Sequence, residues 1–165
     1  MDMSNYKTKK TSVSVPCTCG ELFQGALDGE PCLVSCPIDV FSTAHITDNK
    51  PTSIRPHGKK VERALDWITE RSGHKIEMEI NNPLPVGRGY GTSTADIGAA
   101  LFAANQALSL DLTASEASQI AVKIEPTDST LFSGLTLFAH RTGNFNVSLE
   151  LHHPQNLLFL IPEAW

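Results

Sequence analysis

NPLPVGRGYGTSTAD, residues 82–96, sets two prolines and three glycines ahead of a Thr-Ser-Thr run. Directly behind it comes an alanine-rich segment, IGAALFAANQALSL (97–110). Gly87, Gly89 and Gly91 tolerate positive φ and let other atoms approach the backbone closely, so this chain can turn several N–H groups to one side. With Thr92 or Ser93 capping the helix that follows, those N–H groups and the positive end of the helix dipole converge on one spot. Such a spot suits a phosphate. Hydroxyls of Thr92, Ser93 and Thr94 would add hydrogen bonds or an oxygen ligand for Mg²⁺, and Arg88 would add charge. The bland alternative is a glycine-rich link between a strand and a helix. Neither familiar phosphate loop fits: a Walker A loop needs a lysine, and the dinucleotide fingerprint reads G-x-G-x-x-G where this chain reads G-x-G-x-G.

Upstream of the loop, KIEMEI (75–80) alternates apolar and charged residues with the period of a half-exposed strand. Between Lys59 and Arg71, Val61, Ala64, Leu65 and Ile68 recur at spacings of three and four and Gly73 follows, which predicts an amphipathic helix with a stop signal. Nearer the N-terminus, SVSV (12–15) reads as a strand ending at Pro16. CLVS (32–35) and FSTAHIT (41–47) read as two more, with Gly25, Gly29, Pro31 and Pro37 supplying the turns. Downstream, Ile97, Leu101, Ala104 and Leu108 share one face of a buried helix over 94–108, with Gly98 permitting close packing. Thr113 and Glu116 form a capping box opening a helix to about Lys123. EPTDST (125–130) is a loop, and strands follow at 134–140 and 145–151 around an RTGN turn, then at LLFLI (157–161). The order predicts an α+β fold, a two-layer α/β sandwich with a mixed sheet.

The chain has 165 residues, 41% of them hydrophobic, enough for one domain with a core. Its net charge of −5 argues against general nucleic-acid binding, which relies on Lys and Arg neutralising phosphates. No apolar run approaches the ~20 residues of a membrane span, and MDMSNYKTKK has no signal-peptide core. The expectation is a soluble, cytoplasmic protein with no membrane partner. Cys17, Cys19, Cys32 and Cys36 are read as free thiols rather than a zinc site, because C-x-C and C-x-x-x-C depart from C-x-x-C knuckles. Apart from the adjacent pair His152 and His153, the six histidines lack ligand spacing; all are read as surface or sheet residues, while Trp67 and Phe102 are read as core.

The run P-L-P-V-G-R-G-Y-G-T-S-T-A-D resembles the second motif of the GHMP small-molecule kinases, P-x-x-x-G-L-G-S-S-A-A, which wraps nucleotide phosphates. PCTCGELFQG (16–25), LVSCPID (33–39) and EPTDSTLFSGL (125–135) extend the resemblance, over about 12–161, to the L-threonine kinases that serve cobalamin assembly. The resemblance implies a GHMP N-terminal domain with a left-handed βαβ arrangement, and ATP and Mg²⁺ as cofactors. By the same resemblance, Pro85 directs the chain into the loop and Gly87, Gly89, Gly91, Thr92, Ser93 and Thr94 hold the ATP phosphates. Arg88 replaces a common leucine. Ser93 is the expected Mg²⁺ contact, with Glu125 or Glu116 as a second oxygen, although Glu116 has a sufficient capping role. Asp128 would accept or orient the proton of the attacking hydroxyl; as a residue of P-T-D-S it also suits a turn. Glu21 would meet the ammonium of an amino-acid substrate such as L-threonine, or be an ordinary surface acid. The first motif lacks the lysine some members use, since Cys17 and Cys19 flank Thr18 there.

Superfamily members run to about twice this length. The expected organisation is therefore a polar tail (1–11), an ATP-binding domain (12–156) and, at 157–165, the start of a C-terminal domain that is missing here. Competing readings are another GHMP kinase with a different hydroxyl acceptor, and a catalytically silent nucleotide-binding domain.

Overall fold

Asp28 and Gly29 both take positive φ, 51° and 83°, the conformation of a two-residue turn whose twist matches that of paired strands. They join β1 (Thr11–Leu27) to β2 (Glu30–Ile46) in one long antiparallel hairpin, paired from Leu27↔Glu30 to Thr11↔Ile46. The structure, a computed structural model, describes residues 10–46 and 58–150. Residues 1–9 of the expected tail (1–11), the LLFLI strand, the boundary at 157–165, and His57, His152 and His153 lie outside them, while Thr11 is already the first residue of β1.

Sequence reading cut this hairpin into three strands at Pro16 and Pro37. Both prolines instead lie inside strands, at a run of register shifts between Pro16 and Phe23. A residue without an N–H costs least at an irregularity or on an edge strand, and β1 is the edge of the order β1-β2-β4-β5. Gly25 and Pro31 are likewise strand residues, so Gly29 alone of the expected turn formers makes the turn.

Helix α1 (Lys59–Ser72) buries Val61, Ala64 and Ile68 and stops at Gly73, whose φ of 72° lets its N–H reach Thr69 O at 2.8 Å. The chain then runs to β3 (Glu79–Asn81). Ile76 and Met78 point inward as their alternation predicts, but only the last residues pair, against Thr43–His45 of β2. Helix α2 (Thr92–Leu108) begins two residues earlier than its apolar pattern suggested and is buried along most of its length. Gly98 is where it crosses the sheet: a Cβ there would lie 2.2 Å from Leu131 Cδ2 and 3.4 Å from Val15 Cγ1. Helix α3 (Ala114–Ile124) forms the expected capping box between Thr113 and Glu116. That contact holds the Glu116 carboxyl below its ordinary range, first through the Thr113 N–H. A short 3-10 turn (Ser129–Leu131) leads to β4 (Leu135–Phe138) and β5 (Asn146–Leu149), joined by a turn at Gly143.

The helices lie on one face of the sheet, where Val15, Ala44 and Ile46 meet Ile68, Ile97 and Leu101. Trp67 and Phe102 pack half-buried against this core. On the opposite face Ser12 and Ser14 bond His45 and Thr43 at 3.0 and 2.8 Å. This polar back face makes the fold a two-layer α+β sandwich. One expectation changes: every pairing among the described strands is antiparallel, not mixed. The connection between β2 and β3 returns to the end of the sheet that it left, His45 lying opposite Glu79, so β3 runs back along β2.

Candidate active site

Gly87, Gly89 and Gly91 all have positive φ, at 76°, 81° and 58°. Gly91 occupies the N-cap position of α2, and no side chain caps the helix. This corrects the expectation that Thr92 or Ser93 would do so. Thr92 and Thr94 are buried, and the Thr94 hydroxyl accepts the Asp128 N–H at 3.1 Å. Without a cap, the N–H groups of the first turn have no intrahelical partner. They keep the positive end of the dipole available to an external anion. Gly87 and Gly89 face open space, since a Cβ on either would have nothing within 4 Å, and Pro85 and Arg88 are exposed. The loop is tied down at its other end, where Thr18 N–H bonds Tyr90 O at 2.9 Å.

Asp128 is brought to this loop from the segment after α3. Its Oδ1 accepts the Ser35 hydroxyl at 3.2 Å, while Ser35 and Ser129 exchange backbone-to-hydroxyl bonds at 2.9 and 3.0 Å. Burial raises the Asp128 carboxyl above its ordinary value. The Thr94 and Ser35 hydroxyls oppose that rise, and the charges of Glu21 and Glu125 add to it. Glu21 itself is exposed on β1, opposite Ser35. A carboxylate in this state is a better proton acceptor than one free in water.

Ser93 and Glu125 meet on another side of the helix start. The Ser93 hydroxyl donates to Glu125 Oε1, and Lys60 of α1 pairs with Oε2 of the same carboxylate. Arg63, one turn on, donates to Ile124 O and Lys123 O at 3.1 and 3.0 Å. Glu125 therefore does more than end α3, where it is the C-cap. Two hard oxygen donors suit Mg²⁺, which keeps several waters and takes the rest of its shell from phosphate. Among the described residues no group of three or more His, Cys, Asp or Glu forms a metal cluster, and the four cysteines are free. Burial pushes the Cys19 thiol up to about 11.

A cleft of about 390 Å³ opens beside the loop, walled by Lys60, Val61, Ile80, Leu84 and Val86 and reaching Ser93. At its base Asp96 Oδ1 accepts Ser42 Oγ at 2.6 Å and Asn82 Nδ2 at 2.7 Å, and Asn82 Oδ1 accepts Leu84 N–H at 3.1 Å. This network fixes the segment that enters the glycine loop against α2 and β2.

Sequence reading missed Thr18, Ser35, Asn82, Asp96 and Lys60. Asn82 and Asp96 bracket the glycine stretch, which is a signal of sorts; Ser35 and Lys60 reach the site only through tertiary packing. Among the described residues, His140 is buried with its Nδ1 unpartnered. Burial lowers its basicity.

A family model described as GHMP kinases N terminal domain matches residues 59–138. The L-threonine kinase of Citrobacter freundii is 37% identical over 88% of this chain and 52% of its own length. That of Salmonella typhimurium (strain LT2) is 39% identical over 88% of this chain and 50% of its own length. The chain thus spans about half the length of these curated relatives. Among solved structures, the mevalonate diphosphate decarboxylase of Staphylococcus aureus superposes with a TM-score of 0.63 at 20% identity, over 89% of this chain and 52% of that one. A mevalonate kinase superposes with a TM-score of 0.64 at 14% identity, over 84% and 56%. At such identities these two likenesses concern the fold alone.

Proposed function

Because this chain belongs to the GHMP kinases, whose N-terminal domain it carries, we propose that it serves an ATP-dependent kinase acting on the hydroxyl of L-threonine. The observation that carries this reading is the uncapped start of α2, flanked by the Ser93–Glu125 oxygen pair and by Asp128. An anion seated there has backbone N–H donors, two oxygens suited to a divalent cation, and a base within one site. The relatives named L-threonine kinase support the choice of acceptor, and the resemblance of the motifs supports a role in cobalamin side-chain assembly.

In this reading Gly87, Gly89, Gly91 and the first turn of α2 bind the polyphosphate of ATP, and the cleft beside Leu84 and Val86 receives the base. Ser93 and Glu125 hold Mg²⁺, which when bound offsets charge on the phosphate oxygens. Asp128 takes the proton from the threonine hydroxyl as its oxygen bonds to the γ-phosphorus, and the bond to ADP breaks on the opposite side. Burial raises the proton affinity of Asp128, so its ionised carboxylate accepts that proton more readily than one free in water. Glu21, exposed beside it, meets the substrate ammonium. A segment matching the rest of the relatives' length would close the cleft and exclude water.

The test is to incubate the protein with Mg·ATP and L-threonine, with serine and homoserine as competing acceptors, and to look for O-phosphothreonine by mass spectrometry. Selective phosphothreonine formation supports the proposal. Phosphorylation of another acceptor in preference would replace threonine. No transfer by a version spanning the relatives' full length would defeat the kinase reading.

A further inference from the structure

Lys60 and Ser93 belong to different helices and share no stretch of sequence, yet they grip the two oxygens of one carboxylate, that of Glu125. The carboxylate lies at the first turn of α2, where no side chain caps the helix. Its position is that of an internal anion: one oxygen takes a hydroxyl, the other an ammonium, beside the positive end of a helix. A phosphate group presents paired oxygens of the same kind, with greater charge, and the cleft that would admit it is walled by Lys60 and reaches Thr92 and Ser93.

We propose that Lys60 is a polyphosphate-binding residue, held in the ligand-free protein by Glu125, whose ammonium exchanges the carboxylate for a non-bridging phosphate oxygen when a nucleotide enters the cleft. The proposal rests on the nucleotide-kinase reading above. Occupation of Ser93 and Glu125 by a divalent cation would require the present contact to open, which releases Lys60 at the wall of the cleft. The alternative, that Lys60 serves to dock α1 on the end of α3, is weakened by Arg63. That residue already bonds the last carbonyls of α3 twice, and the Lys60 side chain is 51% exposed, where an ion pair adds little to stability.

The experiment is calorimetric titration of ATP and of adenosine into the wild-type protein and K60M, each with and without Mg²⁺, after unfolding curves show that K60M is folded. K60M should weaken ATP binding by about tenfold, the scale of one lost charge-assisted hydrogen bond, and leave adenosine binding unchanged. In the absence of Mg²⁺, E125Q should bind ATP more tightly than wild type, and that gain should vanish in K60M/E125Q. Equal ATP affinity in wild type and K60M overturns the proposal, as does an equal loss for ATP and adenosine, which would mark a change of cleft shape. Failure of the wild-type protein to bind ATP would defeat the nucleotide reading and this proposal together, whereas ATP binding insensitive to K60M defeats the Lys60 assignment alone.

Discussion

Gly91 lies so close to Asp128 that a methyl group on its α-carbon would meet carboxylate Oδ2 at 2.8 Å and Thr18 Cγ2 at 2.4 Å. The helix start, the first motif on β1 and the candidate base therefore press on one backbone atom. Little tolerance for change remains there.

Gly91→Ala and Gly89→Ala separate backbone strain from crowding. Gly89 needs a positive φ but has open space around it, so its alanine variant should cost about 1 kcal/mol. Gly91→Ala adds overpacking against Thr18 and Asp128 and should cost on the order of 3 kcal/mol. Urea unfolding of both variants measures the difference; equal losses would show that the contact at Gly91 relaxes freely.

Asp128→Asn should lower phosphoryl transfer by about 10²–10⁴-fold while ATP affinity, measured by titration, is retained. The wild-type rate should fall on an acid limb above the ordinary Asp value of 3.8, because burial raises this carboxyl. Stability follows the same sign: the folded protein holds the proton to higher pH than the unfolded chain. The contribution of this group is complete below 3.8 and is lost as pH rises through the folded value. Asn does not titrate, so the variant should gain on the wild type in unfolding free energy as pH rises above 3.8 through the raised folded value. A constant difference across that range would contradict the raised carboxyl.

Ser35→Ala removes a buried hydroxyl that accepts Ser129 N–H and donates to Asp128. The orphaned N–H should cost about 1–3 kcal/mol in stability. Losing a donor to the ionised carboxylate should move the acid limb of the rate profile to higher pH. An unfolding curve and a pH–rate profile check the two effects separately, and a shift to lower pH would exclude Ser35 as a partner of the base.

Ser93→Ala leaves the helix intact but takes one oxygen from the pair with Glu125. The Mg²⁺ concentration for half-maximal transfer should rise roughly tenfold, the scale of one lost contact to a charged centre. Unaltered Mg²⁺ dependence would remove Ser93 from the ion's surroundings.

The helices were readable because their signals are local: the 3-and-4 spacing from Val61 to Ile68, Gly73 as a stop, and the Thr113–Glu116 box each depend on neighbours within one or two turns. The hairpin was not. Asp28-Gly29 was a usable turn signal, but Pro16 and Pro37 read as strand ends until the register shifts of β1 against β2 showed how the chain accommodates them. Glycine conformations at 87, 89 and 91 followed from residue type, whereas the absence of a cap on α2 did not. Thr94, a residue chemically able to serve nearby, is engaged by Asp128 from 34 positions away.

The sequence by itself determined the class of fold and the anion-suited loop with Ser93 at its end, since these rest on side-chain chemistry and short-range spacing; Asp128 and Glu125 were singled out by the resemblance of the motifs. Tertiary structure alone decided that Glu125 stands between Ser93 and Lys60, that Ser35 supports Asp128, and that β3 runs antiparallel to β2. Those relations join residues 32 to 93 positions apart. They arise from how α1, α2 and α3 pack on one face of the sheet, and no local propensity encodes the distance between side chains on separately packed elements.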